Sequence, residues 1–411
     1  MLQAKLSPTL LAALSCGGGA LLIGASVAGG AETERWQIGT PIATYWAGPP
    51  MTDATAEQMA DGGFNVVWCT PDELDTVQRH GLRALLASGL IAPESLDDPA
   101  KRQELDALIA RVKGHPALYA YFVTDEPNAS RFAALGKLVA YLRERDPAHL
   151  AYINLFPSYA TNEQLGTAGD HEAAYAEHLR QYVDVVKPDL ISYDHYHYTS
   201  AGDGGWYFLN LAMIRQKALD AGLPFLNIVQ ASSWTPSMRV PNGDELAWLV
   251  YTSLAYGAQG ISYFVYYYPD WQGAMANADG TTTPLYDAAS HLNREFVAIA
   301  KELQPLTSLG AYHLGELPRG AEALPDDSPV KVVGAQPAQG LVVGLFGRDG
   351  TASHAVIVNR DYRWGVRVTL SVPRDTRVFG GAAAGWSPTY GNGSVTVELG
   401  PGRGKLVRWK R

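Results

Sequence analysis

LYAYFVTDEPN, from Leu118 to Asn128, runs apolar and aromatic for most of its length, then stops in two acids and a proline. Such a run reads as a strand buried on both faces, the kind found in a parallel sheet covered by helices. Pro127 has no amide hydrogen to give to a ladder, so the strand is expected to end there. Asp125 and Glu126 then fall at the carboxyl end of the strand, where α/β sheets and barrels carry their chemistry. Adjacent carboxylates at a buried strand mouth are costly unless something uses them. Glu126 therefore reads as a catalytic carboxyl group.

Seven comparable runs surround this one: PIATYW from Pro41, FNVVWC from Phe64, LRALLA from Leu82, LAYINLFP from Leu150, LISYDHY from Leu190, FLNIVQAS from Phe225 and GISYFVYY from Gly260. Segments of helical period separate them. KRQELDALIARVKG from Lys101 puts Leu105, Leu108, Ile109 and Val112 on one stripe, and RFAALGKLVAYLRERD from Arg131 does the same with Leu135, Leu138, Val139 and Leu142. Later helices are expected from His171, Phe208, Asp244 and about Tyr286, with Gly222 and Gly257 at helix stops. Eight strand–helix alternations predict an α/β chain built as a (β/α)8 TIM barrel over residues 36–314.

From Gly315 to Pro329 the chain becomes a Pro-, Gly- and Asp-rich connector. Beyond it, short alternating segments such as LVVGLFG, SHAVIVNRD and SVTVELG are punctuated by Asp349-Gly350 and Asn392-Gly393. They predict a small antiparallel β-sandwich over residues 328–411.

The amino terminus carries Lys5 and is then apolar and small from Leu6 to Gly30. Residues 1–31 read as a signal peptide, with small-residue cleavage contexts ending at Ala28 or Ala31, which implies a secreted or periplasmic protein. Cys16, in ALSC, leaves a lipid-anchored form open, as does retention of the apolar segment as a membrane anchor. With the leader removed, Cys69 is the one cysteine left, so neither a disulfide framework nor a four-cysteine metal site is available. At the end of FNVVWC it reads as a small buried hydrophobe. The net charge of −9 and the lack of a basic stripe argue against a nucleic-acid partner.

Reading the ends of the expected strands collects a candidate rim. It comprises Tyr45 and Trp46, Trp68, Asp125 and Glu126, Asn154, Asp194 with Tyr196, Gln230 with Trp234, and Tyr266 to Asp270. Acids, amides and flat rings gathered on one rim suit a glycan cleft. Carboxyl groups move protons, amides bind hydroxyls, and rings stack on sugar faces. Cleavage of a glycosidic bond needs a proton donor and a second carboxylate. Glu126 is the expected donor and Asp194 the expected partner; Asp125, Tyr45, Trp68, Asn154, Tyr196, His195, Gln230, Trp234, Tyr266 and Asp270 are expected to contact substrate. Strand alternation sends Asp194 and Tyr196 to one face, and His195 and His197 to the other. Trp206, Trp234 and Trp271 fall in loops and suit stacking, whereas Trp248 falls in a helix and suits packing.

The acid–Glu–Pro ending of the fourth strand resembles the NEP signature of clan A glycoside hydrolases, with Asp125 where that family has Asn. LVYTSLAYGAQGISYFVYY, from Leu249, resembles the strand-eight region of family 42 β-galactosidase-type barrels. The resemblance implies an exported enzyme hydrolysing O-glycosidic bonds of an oligo- or polysaccharide, Glu126 as acid/base, and no cofactor. It departs at strand seven, where the family has a nucleophilic Glu and this chain has Gln230 in NIVQASSW. Asp194 is the first candidate to fill that role and Asp270 the second. An inactive barrel that binds glycans is one alternative; a metal-dependent hydrolase using Asp194, His195 and His197 is another.

Overall fold

The computed structural model describes residues 35–338, 340–389 and 393–410. The expected signal peptide with Cys16, and Asn392 of the expected turn, lie outside them. Eight parallel strands form the barrel: β1 (Ile42–Trp46), β2 (Val66–Cys69), β3 (Arg83–Leu86), β4 (Leu118–Asp125), β5 (Leu150–Leu155), β6 (Ile191–His195), β7 (Phe225–Gln230) and β8 (Gly260–Phe264). A helix follows each one: α1 (Asp53–Asp61), α2 (Leu74–Arg79), α3 (Pro99–Val112), α4 (Phe132–Arg145), α5 (His171–Gln181), α6 (Tyr207–Ala221), α7 (Gly243–Ala255) and α8 (Pro284–Leu303). Every residue of β5, β6 and β7 is buried, as expected for strands covered on both faces.

The strands pair in the order β1-β8-β7-β6-β5-β4-β3-β2. Asn65, just before β2, brings the ring's ends together. Its backbone N–H donates to Ala43 O at 2.9 Å, and its side chain accepts from Ala43 N at 3.0 Å and donates to Pro41 O at 2.9 Å. An amide side chain thus stands in for a short stretch of ladder. Inside the barrel Ile42, Val66, Leu85, Leu226 and Ile228 belong to one apolar cluster.

A two-sheet antiparallel domain follows. Its larger sheet contains β9 (Thr307–Leu314), β11 (Leu341–Arg348), β12 (Thr351–Asn359), β17 (Gly404–Arg408), β14 (Arg377–Phe379) and β15 (Trp386–Pro388); the smaller contains β10 (Lys331–Gln336), β13 (Val366–Ser371) and β16 (Ser394–Leu399). β9 lies before residue 328, where sequence alternation marks the start of this domain. A register shift between Ser308 and Gly310 breaks the period of β9, which hides it in the sequence. The larger sheet packs on α7. Trp248 Nε1 donates to Arg360 O at 2.9 Å, and a Cβ on Gly344 would come within 2.1 Å of Ala255 O, an approach that only glycine permits. Among the described residues no helix is long and apolar enough to cross a membrane.

Candidate active site

Two backbone irregularities at the end of β4 shape the site. Strict alternation would send Asp125 and Phe122 to opposite faces. Instead the β4–β5 register shifts between Phe122 and Thr124, so Phe122 pairs with Tyr152 and Asp125 with Asn154. Both pairs therefore lie on the inward face, the extra residue being absorbed as a bulge. Glu126 then takes a left-handed conformation with φ 41°, held by its N–H donating to Asn154 O at 2.9 Å. Left-handed backbone is uncommon for Glu and is tolerated where surrounding structure enforces it. Adjacent acids consequently both reach the mouth of the barrel.

Asn154 joins the acids of β4 and β6. Its Nδ2 donates to Asp125 Oδ1 at 3.0 Å and to Asp194 Oδ1 at 2.9 Å, which uses both hydrogens of the amide. Its Oδ1 accepts from Ser192 Oγ at 3.0 Å, and Ser192 Oγ lies 2.8 Å from the Tyr152 hydroxyl. Asp194 is 1% exposed, and its Oδ2 meets no N–H or O–H donor among the described residues. The Asp194 and Glu126 carboxyls lie close enough that ionising one hinders ionising the other.

Burial, reinforced by the charges of Glu126 and Asp125, holds the Asp194 carboxyl well above the usual carboxylate range. Burial and then the Asp125 charge push Glu126 up to about 7, while Asp194 pulls the other way. Asp194 is the more enclosed of the two, so the resting proton belongs on it. Burial pushes Asp125 up to about 6 while its bond from Asn154 pulls the other way, and part of the residue stays exposed.

Glu126 and Asp194 line a cleft of about 480 Å³ together with Tyr196, Trp234, Tyr159 and Phe156. Tyr196 packs edge-on to Trp234 at 4.6 Å, and both rings rest on Phe264 at 4.8 and 4.9 Å. Trp271 extends this group 6.0 Å from Trp234. Glu126, Asp194, Tyr196 and Trp234 are thus brought together, with Asn154 and Asp125 tied to them by hydrogen bonds. A larger cavity of about 770 Å³, lined by Trp36, Asp189, Pro224 and Gln259, opens at the amino-terminal ends of the strands and lacks these acids.

Other expected contacts lie elsewhere. Tyr45, 1% exposed, points to the helix side of β1 and packs on Phe64 and Tyr266. Tyr266 is fully buried and donates its hydroxyl to Gln58 Oε1 at 2.6 Å. Trp68 joins Trp46 and Phe122 in an aromatic layer within the barrel, its Nε1 donating to Tyr45 O at 2.7 Å. His195 turns into the wall, where Nδ1 meets Asn210 Oδ1 at 2.9 Å on α6. His197 stacks on Trp248 at 4.8 Å. Because Asp194 faces the cleft, the three side chains of the metal reading do not converge, and among the described residues no His, Cys, Asp or Glu group is arranged to hold a metal ion.

Gln230 does not line the cleft either. It is fully buried, its Oε1 accepting from Tyr198 N at 2.8 Å and its Nε2 donating to Tyr198 O at 3.0 Å and Arg239 O at 2.8 Å. It fastens the loops after β6 and β7. Asp270 is exposed on left-handed backbone and does not line the cleft. Trp206 lies against His171 and Arg319, away from the acids. Cys69 is buried, which pushes its thiol up to about 12.

The cleft also uses residues that strand ends did not indicate. Tyr159 donates no ladder bond, yet its hydroxyl accepts from Tyr196 N at 3.3 Å; Met238 and Gln164 complete nearby walls. They sit several residues beyond β5 and β7, in FPSYATNEQL and SSWTPSM. Long loops at the carboxyl face were the available signal.

The fold is similar to that of a solved glycoside hydrolase, with a TM-score of 0.52 and 13% identity over 86% of this chain and 87% of that one. Other similar structures are a family 39 glycoside hydrolase from Bacteroides cellulosilyticus WH2 (TM-score 0.47, 14% identity, 89% and 80% of the two chains) and a putative α-galactosidase/melibiase from Bacteroides fragilis NCTC 9343 (0.48, 12%, 90% and 79%). No family model and no curated protein matches the chain. At such identities the likeness is one of fold: a (β/α)8 barrel followed by an antiparallel β-sandwich.

Proposed function

We propose that this chain is an exported glycoside hydrolase in which Glu126 and Asp194 act as one proton-sharing pair. The observation that carries the reading is that both carboxyls line one cleft walled by Tyr196 and Trp234. The apolar leader from Leu6 to Gly30 supports export.

The chemistry follows from the pair. Glu126, the more exposed acid, takes the shared proton from Asp194 and passes it to the glycosidic oxygen as the bond to the anomeric carbon breaks. Asp194 becomes a carboxylate as positive charge develops on the sugar ring, and stabilises or attacks that carbon. Water returns the proton and completes hydrolysis.

One observation favours a second reading, a barrel that binds glycans without cleaving them. Gln230 stands at the end of β7, bonded to backbone on every side, and supplies no carboxylate. Turnover of aryl glycosides and polysaccharides by wild type, Glu126→Gln and Asp194→Asn separates the two. Hydrolysis that drops by roughly a thousandfold or more in each variant fits removal of a paired acid. Unchanged turnover in Glu126→Gln rules out its role as donor.

A further inference from the structure

Such charge as the cleft side chains carry is negative. Glu126 and Asp194 line the cleft, and Asp125 is next to Glu126 in sequence. Their field reaches across the opening: the charges of Asp194 and Glu126 add to burial in raising the hydroxyls of Tyr159 and Tyr196 on the walls. An anion entering that space meets the same field, in surroundings where charge interactions are weakly screened.

The remaining walls do nothing to offset it. Among the described residues, those lining the cleft include no Lys, Arg or His; beyond the acids they are aromatic, apolar or uncharged polar. Arg239, next in sequence to cleft-lining Met238, sends its guanidinium to Glu245 on α7 at 2.7 and 2.8 Å. Arg131, near the end of β4, turns to Glu94 at 3.7 Å. Recognition of a sugar carboxylate or sulfate uses the bidentate fork of Arg or the point charge of Lys. Trp234 and Tyr196 instead offer flat apolar faces, and Thr235, Ser237 and Gln164 offer neutral hydrogen-bond partners for hydroxyls.

We infer that the cleft takes an uncharged sugar at the ring held between Glu126, Asp194 and Trp234, and rejects uronic and sulfated residues there. The selection works by repulsion, the acids that serve the reaction also excluding anionic substrates. This inference rests on the proposed function and adds the substrate class.

The experiment uses the full chain and nitrophenyl glycosides of glucose, galactose, mannose and xylose in both anomers, with the matched glucuronides and galacturonides. Binding is followed by calorimetry and turnover by released nitrophenol, both at neutral pH and low salt. At least one neutral glycoside is expected to bind at least about tenfold more tightly than its uronide, the gap narrowing as salt rises. A uronide bound or cleaved as well as its neutral counterpart overturns this inference and leaves the glycosidase reading standing. Binding of neither class, with no turnover, overturns both.

Discussion

Asn154 Nδ2 lies 2.9 Å from Asp194 Oδ1, and the same nitrogen lies 3.0 Å from Asp125 Oδ1. One neutral amide on β5 therefore holds acids from β4 and β6 as acceptors. It also orients the pair: with Oδ1 of Asp194 committed to Asn154, the other oxygen is left to carry a proton. Asn154 is a positioning residue on this reading.

Replacing Asn154 with Ala removes both donors. Since those bonds favour the ionised acids, the shared proton should be held more tightly and the pH profile of kcat should move upward. Bonds to charged groups are worth about 1.5–3 kcal/mol, so a fall in kcat of roughly tenfold to a hundredfold is expected. A purely structural role would lower Tm and leave the profile where it was.

Stability should depend on pH with a sign unusual for carboxyl groups. The folded Glu126 carboxyl titrates at about 7, above its ordinary 4.5. Below that ordinary value it is protonated in folded and unfolded chains alike and contributes nothing. Between the two values the folded chain binds the proton more tightly, so stability falls as pH rises through this window. Asp194 shifts the same way. Wild-type Tm should therefore drop from mild acid to neutrality by more than that of Asp194→Asn, and at neutrality Asp194→Asn should be the more stable protein. Thermal scans across that range check both statements; a flat difference between the two proteins contradicts them.

These relations were unevenly visible in the sequence. The eight strands stand out because burial on both faces makes them near-continuous apolar runs, and their carboxyl ends identify Glu126, Asp194, Asn154 and Trp234. Direction was harder. Of Tyr45 and Trp46 one must face inward, but the period of two does not say which until register is known. At β4 the bulge near Val123 and the left-handed Glu126 reverse the naive alternation, and neither has a residue signature. The partners of Gln230 are backbone groups of Tyr198 and Arg239, which a side-chain inventory cannot reveal. Tyr159 lies past the strand end, where loop geometry decides the position.

Trp234 should act on substrate affinity. It lies beside Asp194 in the cleft wall and is buttressed by Tyr196 and Phe264. Aromatic contacts of this kind are worth about 0.5–1.5 kcal/mol beyond area, so Trp234→Ala should raise KM by up to roughly tenfold. A kcat that falls as far as in Glu126→Gln, at unchanged KM, would instead give Trp234 a part in the reaction itself.

Gln230 permits a test of whether strand seven can be repaired. Adding a carboxylate there, as Gln230→Glu, puts an acid at the end of β7. The surroundings oppose it. Gln230 Nε2 donates to the carbonyls of Tyr198 and Arg239, and a glutamate would turn that donor into an oxygen facing two acceptors at full burial. Leaving such groups unpaired costs about 1–3 kcal/mol each, and more with a buried charge. Gln230→Glu should accordingly lower Tm, loosen the loops after β6 and β7, and add no turnover to Asp194→Asn when the two changes are combined. Rescue of Asp194→Asn by Gln230→Glu would place the second carboxylate of the reaction on β7 and remove Asp194 from that role.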